Sequence, residues 1–175
     1  MEFQLTHVFP VLERTPRVID VMLRDLPVEL INSNEGPEAW SPYDVVGHLI
    51  HGEQTNWVAR VEIILSDAPE RKFEHFDRFA QFKVSGTKSL ATLLDEFAQL
   101  RERNLKILRA KHLGPTQFAR TGTHPALGPV TLANLLSTWA AHDLNHVAQI
   151  NRVIGRQFEH LVGPWKQYLG IMRRS

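Results

Sequence analysis

The chain has 175 residues, 43% of them hydrophobic and 22% charged, with a formal net charge of +1. That length suits a single domain over residues 1–175 with a sizeable core, and the composition is that of an ordinary globular protein. The near balance of charge, without a clustered Lys/Arg stripe, gives no reason to expect nucleic acid as a partner, and the absence of cysteine excludes disulfides, thiolate ligands and Cys nucleophiles.

Any metal must therefore be held by His, Asp, Glu or backbone oxygen. The start, MEFQLTHVFPVLERTP, lacks a basic stretch followed by an apolar signal core. No run approaches the ~18 apolar residues of a membrane span. A cytoplasmic protein with no membrane partner is the resulting expectation.

Residues 3–25 read as a first helix, interrupted at Pro10 or Pro16, with Thr15 as an N-cap before Pro16. Leu26–Ala39, rich in Pro, Asn and Gly, reads as a loop. A second helix starts with agreeing signals: Ser41 as N-cap, Pro42 at the first helical position and Asp44 at the third. It runs to about Ser66, before Pro69. Val46, Ile50, Trp57, Val61 and Ile64 share one of its faces. Asp44, His48, His51, Thr55 and Glu62 share the opposite one, which periodicity alone reads as either a solvated face or the wall of a wet pocket.

Residues 67–86 show no clean period, but Phe73, Phe76, Phe79 and Phe82 recur every three residues and predict a short aromatic helical turn. Thr87–His112 is a third helix, capped by Thr87 or Ser89, with Leu90, Leu94, Phe97, Asn104 and Leu108 on one stripe. Residues 116–130 read as an irregular connection with a short hairpin. Thr131 caps a fourth helix, and Gly155 is expected to end it in a left-handed conformation. Gly163–Pro164 starts a short terminal helix, and Arg173–Arg174 reads as a solvated tail. Four long helical segments without convincing strands predict an all-α four-helix bundle with long connections.

The fourth helix holds His142 and His146, four residues apart. At ~3.6 residues per turn both imidazoles project from one face. Leu132, Leu135, Trp139, Ile150 and Val153 lie on that same stripe, so both rings point where the core should be. Buried imidazole nitrogens need partners, and a shared metal is one way to provide them. Asp143 and Gln149 are near enough to act as acceptors that fix the ring tautomers. His48, near the start of the second helix, can bring a third imidazole across the bundle. The bland alternative is a set of core histidines paired to Gln149 and Thr138. No Glu follows His142, so the helical base of the HExxH proteases is missing.

Three blocks carry a family resemblance: WSPYDVVGHLIHGE at 40–53, THPALGPVTLANLLSTWAAHDLNHVAQI at 123–150 and VGPWKQYL at 162–169. In these the chain resembles the DinB/YfiT-like superfamily of metal-binding four-helix bundles. The resemblance implies a divalent metal held by His48, His142 and His146, a small-molecule substrate and a homodimer. Some relatives are thiol S-transferases that use a low-molecular-weight thiol as cosubstrate. Others are described as metal-dependent hydrolases, and many have no assigned activity. The match at His48 favours the wet pocket, bordered also by Asp44, His51 and Thr55.

Three neutral nitrogen ligands with open positions suit Zn²⁺, Ni²⁺, Fe²⁺ or Mn²⁺. His51 or Glu53 is the candidate general base. His124, in the loop before the fourth helix, is a further pocket candidate, with a plain loop histidine as the stronger reading. A non-catalytic bundle that binds a metal or small ligand is the alternative function.

Overall fold

The computed structural model describes residues 2–173, the side chains of Lys83 and Val84 excepted, so Arg174 of the basic pair lies outside the described residues. The first helix, α1 (Leu5–Leu23), is continuous through both prolines, where an interruption was expected. Thr15 is accordingly no cap but a buried mid-helix residue, its hydroxyl donating to the Val11 carbonyl at 3.0 Å. A short α2 (Val28–Ile31) lies in the predicted loop.

The predicted second helix is divided at Asn56 into α3 (Pro42–Thr55) and α4 (Trp57–Leu65). Its start is as read: the Asp44 amide donates to Ser41 Oγ at 3.2 Å, and Asp44 Oδ2 accepts from the Ser41 amide at 2.9 Å. A turn, α5 (Phe82–Ser85), precedes α6 (Leu90–Ala110), which Ser89 caps. Then follow α7 (Pro115–Phe118) and an antiparallel hairpin of β1 (Thr121–His124) and β2 (Gly128–Thr131). Helix α8 (Leu132–Arg156) is capped by Thr131 and runs through Gly155. Gly155 is helical and makes room for Ile171, whose side chain lies 3.0 Å from where its Cβ would be; the left-handed glycine of this region is Gly163, at φ +54°. Two 3-10 turns, Gly163–Tyr168 and Gly170–Met172, close the described chain.

The chain is a four-helix bundle. Helix α3 packs on α6 and α8, and α1 packs on the same two, so α1 lies diagonally across from α3, and α6 from α8. Cross-links fix the directions. Tyr43 donates to the Lys88 carbonyl at 2.7 Å and Asn104 to the Glu53 carbonyl at 2.8 Å, so α3 and α6 run parallel. Arg101 reaches the Leu12 carbonyl while Arg24 meets Asp95, so α1 and α6 run antiparallel.

Parallel neighbours cannot be joined by a tight turn. The chain must return along the whole bundle between α4 and α6, and this long return lays Phe76 and α5 across the face of α3 that periodicity left polar. It is pinned midway: the Phe73 amide donates to the Thr123 carbonyl at 2.9 Å, and the Thr123 amide to Arg71 at 2.7 Å. None of the described helices is long and apolar enough to cross a membrane.

The apolar core falls into two clusters. One gathers Leu12, Trp57, Val61, Leu132, Leu136 and Trp139; the other gathers Ile19, Val45, Leu49, Leu93, Phe97 and Ile150. Between them lies a buried polar layer that includes Glu53, Arg101, Asn104 and Asp143.

Candidate metal centre

The stripe on α8 is buried as its period requires: Leu132, Leu135, Trp139, Ile150 and Val153 are core residues, with His146 among them at 7% exposure. One turn earlier on the same face, His142 is half-buried. From α3, His48 comes to meet them, at 6% exposure. The His142 Nε2 lies 3.1 Å from the Nε2 of His48 and 3.1 Å from that of His146. Three ring nitrogens therefore converge within 4.8 Å of one another, on two antiparallel helices.

The donor chemistry fits a divalent cation. The amide oxygen of Gln149 sits 2.8 Å from His146 Nδ1. That oxygen can only accept, so the proton is on Nδ1 and the lone pair is on Nε2, facing the other rings. Burial pushes His48 down to about 3, with the neighbouring His146 adding to the effect. Burial, then His146 and His48, push His142 down to about 3. His146 is also lowered by burial, against the Gln149 hydrogen bond, which raises it. Neutral imidazoles at neutral pH are what metal ligation requires. The Nδ1 atoms of His48 and His142 are buried without a hydrogen-bond partner. The alternative pairing of a core histidine with Thr138 does not occur among the described residues: Thr138 is exposed, and His142 Nδ1 has no hydrogen-bond partner.

Aromatic side chains box the centre. Trp40 lies 4.7 Å from the His48 ring and 6.4 Å from the His146 ring, centroid to centroid. Phe76 meets His48 edge-on at 5.7 Å, and Trp57 meets His142 edge-on at 5.1 Å. In sequence, Trp40 stands out only as the first residue of the 40–53 block. Its wall-forming role has no signal beyond its position before the His48 helix.

A cleft of about 730 Å³ opens beside the centre, lined by Trp40, Asp44, Arg78, Phe79 and Gln149 among others. Of the expected pocket residues, Asp44 faces this cleft. His51 and Thr55 instead line a separate cavity of about 270 Å³ on the far side of Phe76. His51 packs on Phe76 at 4.9 Å, and its carbonyl accepts from the Thr55 hydroxyl. His124 caps the hairpin turn, its Nδ1 accepting from the Ala126 and Leu127 amides at 3.2 Å.

Glu53 is brought into the polar layer rather than to the histidine nitrogens. Its Oε1 accepts from Arg101 Nε at 3.0 Å, Arg101 Nη2 at 2.8 Å and Trp139 Nε1 at 3.2 Å, and its Oε2 accepts from Asn104 at 2.9 Å. Burial raises this carboxyl, and the Arg101 charge opposes it. With donors on both oxygens the ionised form is the one that fits, because an added proton would face an N–H. Asp143, expected to orient a histidine, takes the other side of Arg101 at 2.6 and 3.0 Å.

The family model of the DinB superfamily matches residues 11–150. Among solved structures, YfiT from Bacillus subtilis superposes with a TM-score of 0.74 at 22% identity, covering 87% of this chain and 86% of that one. YfiT is described as a probable metal-dependent hydrolase with an unusual four-helix bundle topology. At this identity the likeness is one of fold. Comparison with curated proteins gives no match.

Proposed function

The chain belongs to the DinB superfamily, and from that premise we propose that His48, His142 and His146 hold one divalent metal ion, in a metal-dependent enzyme of the hydrolase kind acting on a small molecule. The observation that carries this is the convergence of three neutral Nε2 atoms from two helices. Zn²⁺, Ni²⁺, Fe²⁺ and Mn²⁺ all suit such a donor set. When bound, the ion would supply a Lewis acid that can bring the pKa of a bound water down to about 7 or hold a thiol as its thiolate. Gln149 orients His146, and Trp40, Trp57 and Phe76 limit water around the rings. The description of YfiT supports the hydrolase reading by analogy of fold.

A second reading, thiol S-transfer with a low-molecular-weight thiol, is favoured by one feature. Glu53 and Asp143 are both committed to Arg101, and His51 lies on the far side of Phe76, so neither candidate base faces the histidine nitrogens. A thiol acidified by the ion depends least on such a base. The family also implies a homodimer, which sedimentation velocity reads directly.

Protein purified without an affinity tag is expected to carry about one equivalent of metal, measured by elemental analysis, and His142→Ala to lose it. Substoichiometric metal unaffected by His142→Ala would sink the assignment. Ester, amide and thiol-transfer substrates, each assayed against His48→Ala, separate the two reactions from a non-catalytic binder. Equal rates in both proteins would count against catalysis.

A further inference from the structure

The cleft beside the histidines holds a cation that the fold does not use. Arg78 lines it, and no carboxylate among the described residues lies within 4.0 Å of its guanidinium, where an ion pair would register. The cleft's two acids do not neutralise it. Asp44 Oδ2 is engaged by the Ser41 amide at 2.9 Å and the Ser41 hydroxyl at 2.7 Å, at the start of α3. Glu38, exposed on the rim, makes no ion pair with it.

The guanidinium rests instead on the ring of Phe79, 4.8 Å from the centroid. Phe79 itself stacks on Phe82 at 6.3 Å. Both rings line the cleft while remaining 52% and 44% exposed. Exposed aromatics rimming a concave site, beside an unpaired Arg, are what a small ligand with an apolar body and an anionic end would cover. Trp40 and Gln149 line the same cleft, and they contact His48 and His146 respectively.

We propose that Arg78 is a specificity residue, recognising the carboxylate of a small-molecule substrate whose apolar part lies on Phe79 and Phe82. A planar guanidinium can take a carboxylate through two parallel N–H donors, which fixes orientation as well as charge. The inference rests on the metal-centre reading for what happens to the bound molecule, but recognition of the carboxylate can be measured separately.

The test is calorimetric titration of metal-loaded and metal-free protein with hydrocinnamate and with its neutral isostere, hydrocinnamamide. Wild type is expected to prefer the carboxylate by about tenfold, the worth of one charge-assisted contact. Arg78→Gln should abolish that preference while leaving the amide's affinity unchanged, and Arg78→Lys should restore part of it. Equal affinities in wild type, or a preference that survives in Arg78→Gln, would overturn the assignment. Preference retained by a protein that takes up no metal would refute the metal-centre reading and support this one. A metal-loaded protein with no preference would do the reverse.

Discussion

Pro16 and Arg101 meet at one carbonyl. A proline inside a helix removes the N–H that would bond four residues back, and for Pro16 that acceptor is Leu12. Arg101 Nη1 donates to the freed Leu12 carbonyl at 2.7 Å. The same guanidinium bridges Glu53 of α3 and Asp143 of α8, so one side chain of α6 ties all four bundle helices. Burial works against the Arg101 charge, but the two carboxylates more than offset it and hold Arg101 protonated.

Arg101→Met should therefore destabilise the protein far more than its volume change implies. It leaves two buried carboxylates without a cation, and breaking a buried pair in this way costs about 3–5 kcal/mol. Urea unfolding at neutral pH reads the loss. A change below about 1 kcal/mol would mean that water enters the layer and solvates both acids.

The metal-free protein should weaken in mild acid. His48 and His142 stand at about 3 in the folded chain against an ordinary value of 6.5. As pH falls through 6.5, the unfolded chain takes up protons that the folded one refuses. Stability is then full above pH 6.5 and lost progressively towards pH 3. Thermal melts of chelator-treated protein across this window check the sign. Replacing His48 and His142 together with Gln should flatten the slope, and an unchanged slope would place the titration elsewhere.

The two halves of the candidate site differ in how they could be read from sequence, and packing explains why. Helix α8 has one buried stripe, so its period placed His142 and His146 inward beside Trp139 and Ile150. Helix α3 is covered on more than one side. Val46 and Ile50 face the bundle, but His48 lies under Trp40 and Phe76, one of which comes from the long return that covers this helix. A two-face pattern cannot foresee a cover supplied by an aperiodic segment, so His48 is only an available third imidazole until the family resemblance places it among the ligands. Arg101 did leave a trace. It falls on the apolar stripe of α6, four residues after Phe97 and three before Asn104, where a charge requires buried partners. Glu53, read as a base, is one of those partners. The division at Asn56 left none, since Trp57, Val61 and Ile64 continue the face of Val46 and Ile50.

Gln149→Leu should lower metal affinity while preserving the fold. Its oxygen holds the His146 proton on Nδ1 at 2.8 Å, and Leu would fill similar space without accepting. Loss of such an orienting acceptor typically costs 10–100-fold in affinity, roughly. Competition against a chromophoric chelator measures it, with the thermal midpoint of the metal-free variant as control. Wild-type affinity would show that packing against Trp40 alone orients the ring.

Gly122→Ala should strike the anchor of the long return. A Cβ there would lie 2.6 Å from Phe73 Cε1 and 2.9 Å from Ile64 Cγ1, both core side chains. Neither can swing into solvent, so the hairpin must lift from α4 or Phe73 must leave its place. Overpacking of this kind costs about 1–3 kcal/mol. Phe73 is three residues from Phe76, which contacts His48, so the strain should also loosen one wall of the histidine centre. Urea midpoints read the first effect, and metal affinity by chelator competition reads the second. A lowered midpoint with unaltered affinity would show that the return is held near His48 by Phe76 itself, independently of its anchor on the hairpin.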